Sequence, residues 1–316
     1  MINKIKCVRY VLVCLVSVIL LAVAGCATSS STSKSKLNDH DHRAEVLRGT
    51  FGTYCHAPHL PNGRVDVQRL VNELVDIHAN TYSFCIHTST NDWEDFQLFL
   101  PLARKHGIKV WGSVVPPSES PPHSKLYAEP FRLDYERWAV EFAKLSLREP
   151  SLVAWSIDDF THNLKIYTPE HLKQMLDASR RVNPKLAFIP CCYYKAITPQ
   201  FVQNYAPLLD GMLFPYRDES GGSNLKNPDA VEFEVNKIKE LAGKSYPVVF
   251  DVYATAHSRL GATTPDYVEK AMISGKSCAD GVLVYCHQDP IKNPEKYAIV
   301  KMLFGNWSAN QKAAKR

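Results

Sequence analysis

The feature that most constrains this chain is a theme repeated eight times from Arg48 onward. A short β-rich run ends in polar residues, and an amphipathic helical stretch follows. The runs cover residues 49–55, 81–87, 108–115, 152–157, 186–193, 211–216, 247–253 and 281–286. Between them, apolar residues recur at helical spacing, as in Val67, Leu70, Val71, Leu74 and Val75, or Trp93, Phe96, Phe99, Leu100 and Ala103. Thr168-Pro169, Thr198-Pro199 and Thr264-Pro265 each place a capping hydroxyl before a proline, the pattern of a helix start. Strands that alternate with helices pair in parallel, because each helix supplies the crossover. Eight such units in roughly 270 residues predict an α/β fold, a closed (β/α)8 TIM barrel. No Gly-rich phosphate turn follows the first run, which argues against an open doubly wound sheet. The barrel is expected over residues 46–307, with a solvated tail at 308–316.

The remainder of the chain reads differently. Lys4, Lys6 and Arg9 precede an apolar run over residues 10–24, and Ala24-Gly25-Cys26 follows. That layout is a secretory signal over residues 1–25. Small residues directly before a cysteine resemble the bacterial lipobox. The resemblance implies cleavage before Cys26, lipidation of Cys26 and a membrane-anchored lipoprotein, with the non-acidic Ala27 and Thr28 favouring the outer membrane. Residues 26–45, rich in Ser, Thr and Lys, are expected to form a flexible tether. The formal charge of +5 includes these Lys-rich termini and carries no nucleic-acid signature. Cys55, Cys85, Cys191, Cys192, Cys278 and Cys286 lack zinc spacing and read as buried thiols.

In such barrels the site lies at the C-terminal ends of the strands. The residues there make up the candidate set: Tyr54, His56, His87, Asp158, Asp159, Tyr193, Tyr216, Asp251, Tyr253 and His287. Rings that stack on the C–H faces of sugars, beside polar groups that meet hydroxyls, suit a carbohydrate substrate. Asp158-Asp159 is the sharpest signal, since two adjacent carboxylates after the apolar run Val-Ala-Trp-Ser-Ile are costly without a partner or a task. Neighbours in an extended chain point in opposite directions. A turn that brought both to one ligand would raise one pKa and prepare a general acid. The plainer alternative for Asp159 is a helix cap or an ion pair.

Trp155-Ser156-Ile157-Asp158-Asp159-Phe160 resembles the catalytic strand of barrel glycosidases that include the bacterial hyaluronidase-like β-N-acetylglucosaminidases and O-GlcNAcases. Asn80-Thr81-Tyr82 through Trp93, and the stretch from Ala103 to Val110, are similar to that family's second strand, helix and third strand; Phe250-Asp251-Val252-Tyr253 is similar to its strand-seven motif. The resemblance implies that Asp158 orients an acetamido group, that Asp159 is the general acid/base, and that Asp251 holds sugar hydroxyls. It implies no cofactor and no enzyme nucleophile, because the acetamido oxygen attacks the anomeric carbon. The chain departs from the family in lacking a lysine after strand two and in carrying Val252 where the family has asparagine. Two other readings use the same barrel mouth. One is a metal-dependent hydrolase drawing on His56, His59, His87, His162, His257 and His287. The other is a lipoprotein that binds glycans without cleaving them.

Overall fold

The structure, a computed structural model, describes residues 31–314; the expected signal segment and Cys26 lie outside the described residues. The chain divides after Asp41 into two units. The described part of the first, 31–41, is helical and belongs to the helix Ser31–Leu47. The expected tether therefore carries helix over much of its length. Its final residues belong to the second unit, where Arg43, Ala44 and Leu47 are buried. Among the described residues no helix is long and apolar enough to cross a membrane.

The second unit holds eight parallel strands: β1 (Thr50–Tyr54), β2 (Thr81–Ile86), β3 (Lys109–Val114), β4 (Leu152–Ile157), β5 (Ala187–Phe188), β6 (Met212–Tyr216), β7 (Val248–Tyr253) and β8 (Gly281–Tyr285). A helix follows each: α1 (Val67–Asp76), α2 (Asp92–Lys105), α3 (Tyr135–Arg148), α4 (Pro169–Val182), α5 (Pro199–Tyr205), α6 (Val231–Ala242), α7 (Pro265–Cys278) and α8 (Pro294–Ala314). Their order round the sheet is β5-β4-β3-β2-β1-β8-β7-β6. The three Thr-Pro starts behave as expected: the hydroxyls of Thr168, Thr198 and Thr264 accept from the amides of His171, Phe201 and Tyr267. Helix α8 extends beyond the expected end of the barrel at residue 307. Phe304 and Trp307 pack on Phe51, and Gln311 Nε2 donates to Gly49 O at 3.0 Å.

The β5–β6 seam closes the ring. The run expected over 186–193 is a regular strand only at Ala187–Phe188. The extended chain continues: Ile189 and Cys191 donate to the carbonyls of Trp155 and Ile157, and Leu213 donates to Pro190 O. Pro190 has no N–H to offer, so one rung toward β6 is missing there while the bonds to β4 continue. Asp210 reinforces this seam. Its 3%-exposed carboxylate accepts from Arg43 Nε at 2.8 Å, from the Phe188 amide at 2.9 Å and from Arg180.

Alternation along each strand sorts the side chains into two cores. Val110, Val114, Trp155, Ile157, Phe188, Phe214, Tyr216, Phe250 and Val252 face the helices. Tyr54, Trp111, Ala154, Ala187, Leu213, Val249 and Leu283 fill the interior together with Leu47. Trp111 and Trp155 thus divide between the two layers. The outer layer is close-packed: a Cβ added to Gly112 would lie 2.3 Å from a Phe142 ring carbon. None of the six cysteines is disulfide-bonded.

Removing the Asp210 carboxylate leaves two guanidinium groups without their ion partner and the Phe188 amide without an acceptor at the seam. Asp210→Ala is expected to cost about 3–5 kcal/mol in urea denaturation, with Asp210→Asn recovering part of the loss. A change under ~1 kcal/mol for Asp210→Ala would show that the seam does not depend on this group.

Candidate active site

Strand β4 carries Asp158 and Asp159 to the C-terminal mouth. Asp158 continues the strand, its amide donating to Val114 O at 2.9 Å. At Asp159 the backbone turns left-handed, with φ +42°. Aspartate is among the residues that tolerate this region. The turn cancels the alternation, so both carboxyls line one cavity of about 340 Å³. The carbonyl of Asp159 holds the turn by accepting from His162 N and from Asn163 Nδ2, both at 3.0 Å.

The two carboxyls have different partners. Asp158 accepts from the Tyr54 phenol and, through Oδ1, from the Asp159 amide at 2.9 Å. Burial first, then the neighbouring Asp159 charge, raises its pKa to about 6. Asp159 accepts from the Tyr193 phenol on Oδ1 and faces His162 Nδ1 at 3.4 Å with Oδ2. Burial pushes Asp159 up, but the His162 and Tyr193 hydrogen bonds, with the charges of His162 and Arg217, outweigh it and hold the carboxyl below its usual range. The Tyr193 ring is itself stacked by His162, with centroids 4.4 Å apart, and by the Arg217 guanidinium 3.8 Å from its centroid.

Two more acids complete the floor. Asp251 on β7 is 2% exposed, and its Oδ1 has no hydrogen-bond partner in the protein. Burial, reinforced by Asp158, raises its pKa well above the usual range. Glu119 lies in the turn Pro117–Glu119 after β3, and burial, then Asp158 and Asp159, push it up to about 8. Tyr54, Tyr253 and Tyr285 form an aromatic wall, with centroids 5.3 Å apart for Tyr54–Tyr285 and 5.2 Å for Tyr253–Tyr285.

The cavity thus gathers Tyr54, Asp158, Asp159, Tyr193, Asp251 and Tyr253 from the expected set. Four expected residues lie elsewhere. Tyr216 falls on the outward parity of β6, where its hydroxyl donates to Asn227 O at 2.7 Å; its neighbour Pro215 lines the cavity instead. His287 is buried in the helix layer, its ring nitrogens 2.9 Å from Thr53 Oγ1 and 3.0 Å from Glu73 Oε2. His56 lines a separate cavity of about 440 Å³ together with His59 and His287. His87 bonds Ser124 Oγ at 3.2 Å, in a loop organised by Asp92, which accepts from the amides of His87 and Ser89.

Sequence reasoning passed over Glu119 and Arg259, left Arg217 as a strand-end residue without a role, and gave His257 only to the metal reading. Glu119 and Arg217 each follow a strand end, which was the available signal. His257 and Arg259 sit on a small hairpin after β7, formed by Ala256–His257 and Gly261–Ala262.

The six histidines of the metal reading do not converge. His162 and His257 line the acid cavity, His56, His59 and His287 line the other, and His87 is in neither. Among the described residues one group has metal-ligand spacing: atoms of Asp158, Asp159 and Cys191 lie within 4.8 Å of one another. Burial and the two aspartates keep the Cys191 thiol neutral, and phenols occupy a carboxylate oxygen on each aspartate. The group is therefore better satisfied as a hydrogen-bonded acid pair than as a chelate.

The sequence matches no protein-family model and no curated protein. Several solved structures share the fold. A GH5_18 protein from Streptomyces cattleya, solved with GlcNAc, aligns at TM-score 0.57 and 12% identity, over 76% of this chain and 74% of its own. A GH2 β-galacturonidase from Eisenbergiella tayi aligns at 0.54 and 14%, over 82% of this chain and 51% of its own, so this chain spans about half its length. The glycoside hydrolase domain of PgaB (BpsB) from Bordetella bronchiseptica aligns at 0.52 and 10%, over 80% and 98%. These likenesses show the fold, a (β/α)8 barrel.

A carboxyl raised to about 6 destabilises the fold once it ionises. Below the ordinary value of 3.8, Asp158 is neutral whether folded or unfolded; above about 6 it is charged in both, and the folded state bears the cost. Asp158→Asn is therefore expected to raise stability by on the order of 1–3 kcal/mol at pH 8 and to leave it nearly unchanged at pH 4. Equal effects at both values, read by denaturation, would contradict this environment for Asp158.

Proposed function

We propose that this protein is a glycoside hydrolase that cleaves a glycan over the β4 acid pair. One observation carries the reading: adjacent carboxyls face one cavity with opposed electrostatics, one holding its proton up to about pH 6 and the other charged from below its usual range upward. Such a split is what acid-assisted cleavage of a glycosidic bond requires. In this reading Asp158 donates its proton to the leaving oxygen, and the Asp159 carboxylate faces the positive charge that develops at the sugar. The strand-four resemblance suggests an N-acetylhexosaminide. The charged Asp159 would then accept from the acetamido N–H while the acetamido oxygen attacks the anomeric carbon. The order of roles is the reverse of what the resemblance implies, and the hydrogen-bond partners of the two residues support the reversal. Asp251, whose burial favours its protonated form and whose Oδ1 has no partner in the protein, is suited to hydroxyl contact, and the tyrosine wall to the apolar sugar face.

On a panel of aryl glycosides that includes N-acetylhexosaminides, Asp158→Asn is expected to lower kcat about 10²–10⁴-fold. The wild-type rate is expected to fall as pH rises through about 6, where Asp158 loses its proton. An alkaline limb near 8 that disappears in Glu119→Gln would move the proton donor to Glu119. No turnover on any glycan, or full turnover in Asp158→Asn, would sink the reading.

The same proposal includes export and lipid anchoring at Cys26. Cys26→Ser is expected to move the expressed protein from the membrane fraction to the soluble fraction. An unchanged membrane fraction would contradict the anchor.

A further inference from the structure

The acid cavity continues into a groove of about 520 Å³ beside the loops that follow β5, β6 and β7. His162, Tyr193, Arg217, His257 and Arg259 line both spaces. The two ends have opposite sign. The cavity floor is acidic, whereas the groove presents Lys195, Arg217 and Arg259 against the single carboxylate of Glu219. Glu219 is already engaged: it accepts from Arg217 and, at 2.8 Å, from the Lys195 amide. Lys195 Nζ reaches only the Ser223 hydroxyl, at 3.4 Å, and neither Lys195 nor Arg259 forms an ion pair among the described residues. Both side chains are exposed. Their field is felt locally. His257 is held below its ordinary pKa by burial and then by the charges of Arg217 and Arg259.

We propose that this groove is an anion subsite: the glycan bound across the mouth carries a carboxylate or a sulfate ester that docks between Lys195 and Arg259. For the position of the scissile bond the proposal rests on the hydrolase reading; for the existence of the subsite it does not. The sign of the two ends fixes the direction of binding. An anionic substituent beside the ionised Asp159 would be repelled by its charge. At the groove end the same substituent meets two unpaired cations. The Tyr193 ring, stacked by Arg217, joins the halves and offers an apolar face for the sugar between them. The Arg259 end sits at the tip of the hairpin after β7, beside Gly261, whose φ of +81° suits glycine.

The test is calorimetry on the full chain with four matched oligosaccharides: uronate-terminated, its methyl ester, sulfated, and the neutral parent. Expected is binding of the uronate or the sulfated sugar about tenfold tighter than of the ester and the parent, with the gap shrinking at high salt. Arg259→Gln and Lys195→Gln are each expected to narrow that gap. Which acidic sugar wins tells carboxylate from sulfate. Equal affinity for acid and ester, no binding of either acidic sugar, or an unchanged preference in both variants would overturn the subsite. Turnover is followed in the same samples. Acidic sugars bound with charge preference but never cleaved would sink the hydrolase reading and leave the subsite. Cleavage with no preference for charge would do the opposite.

Discussion

The mouth of this barrel depends on one backbone turn. Strand alternation sends Asp158 inward, and by the same rule it would send Asp159 outward among the side chains that pack against the helices. The left-handed conformation at Asp159 reverses that, and the Asn163 side chain and the His162 amide hold it there. The electrostatics follow from this placement. Two carboxyls in one pocket do not ionise independently, and the donors around each decide which one keeps its charge. Tyr193, His162 and Arg217 favour charge on Asp159, while burial and that very charge favour a proton on Asp158. Glu119 and Asp251 extend the same competition across the cavity.

The two ends of the barrel use buried carboxylates in opposite ways. Beside the N-terminal helix, Asp210 meets two arginines and a backbone amide, so its charge is matched and holds the closing seam. At the mouth, Asp158 and Asp251 have no cation bound to them. Burial there destabilises the ionised form and yields groups ready to give up or keep a proton near neutral pH. This division between a stabilising end and a reactive end is the general pattern of (β/α)8 barrels. Here it appears in the partners of individual aspartates.

Much of this was legible in the residues themselves. The eight strands, the three Thr-Pro caps and the presence of Asp158, Asp159, Asp251, Tyr54, Tyr193 and Tyr253 at the mouth follow from periodicity and the strand-end rule. What escaped had specific causes. Tyr216 sits one residue from the inward Pro215, and a one-residue step along a strand changes the face. His287 shares the parity of the inward Tyr285 but lies past the end of β8, where alternation no longer holds and Thr53 and Glu73 take the ring. Pro190 shortened β5 because a missing N–H acts only where a ladder partner exists. Glu119 comes from a loop whose path no local pattern fixes. The split between Asp158 and Asp159 arises from Tyr54, Tyr193, His162 and Arg217, which belong to four different strand-end segments and meet only once the ring closes.

The central claim is that neighbouring acids hold different protonation states below about pH 6, where Asp158 keeps its proton while Asp159 is charged. The most direct measurement is a titration of carboxyl 13C shifts in protein labelled at aspartate, with Asp158→Asn and Asp159→Asn for assignment. The expected result is one aspartate of the pair titrating near 6, absent from Asp158→Asn, and its neighbour titrating below the ordinary 3.8. Two aspartates titrating together near 4, each unmoved by loss of the other, would contradict the account.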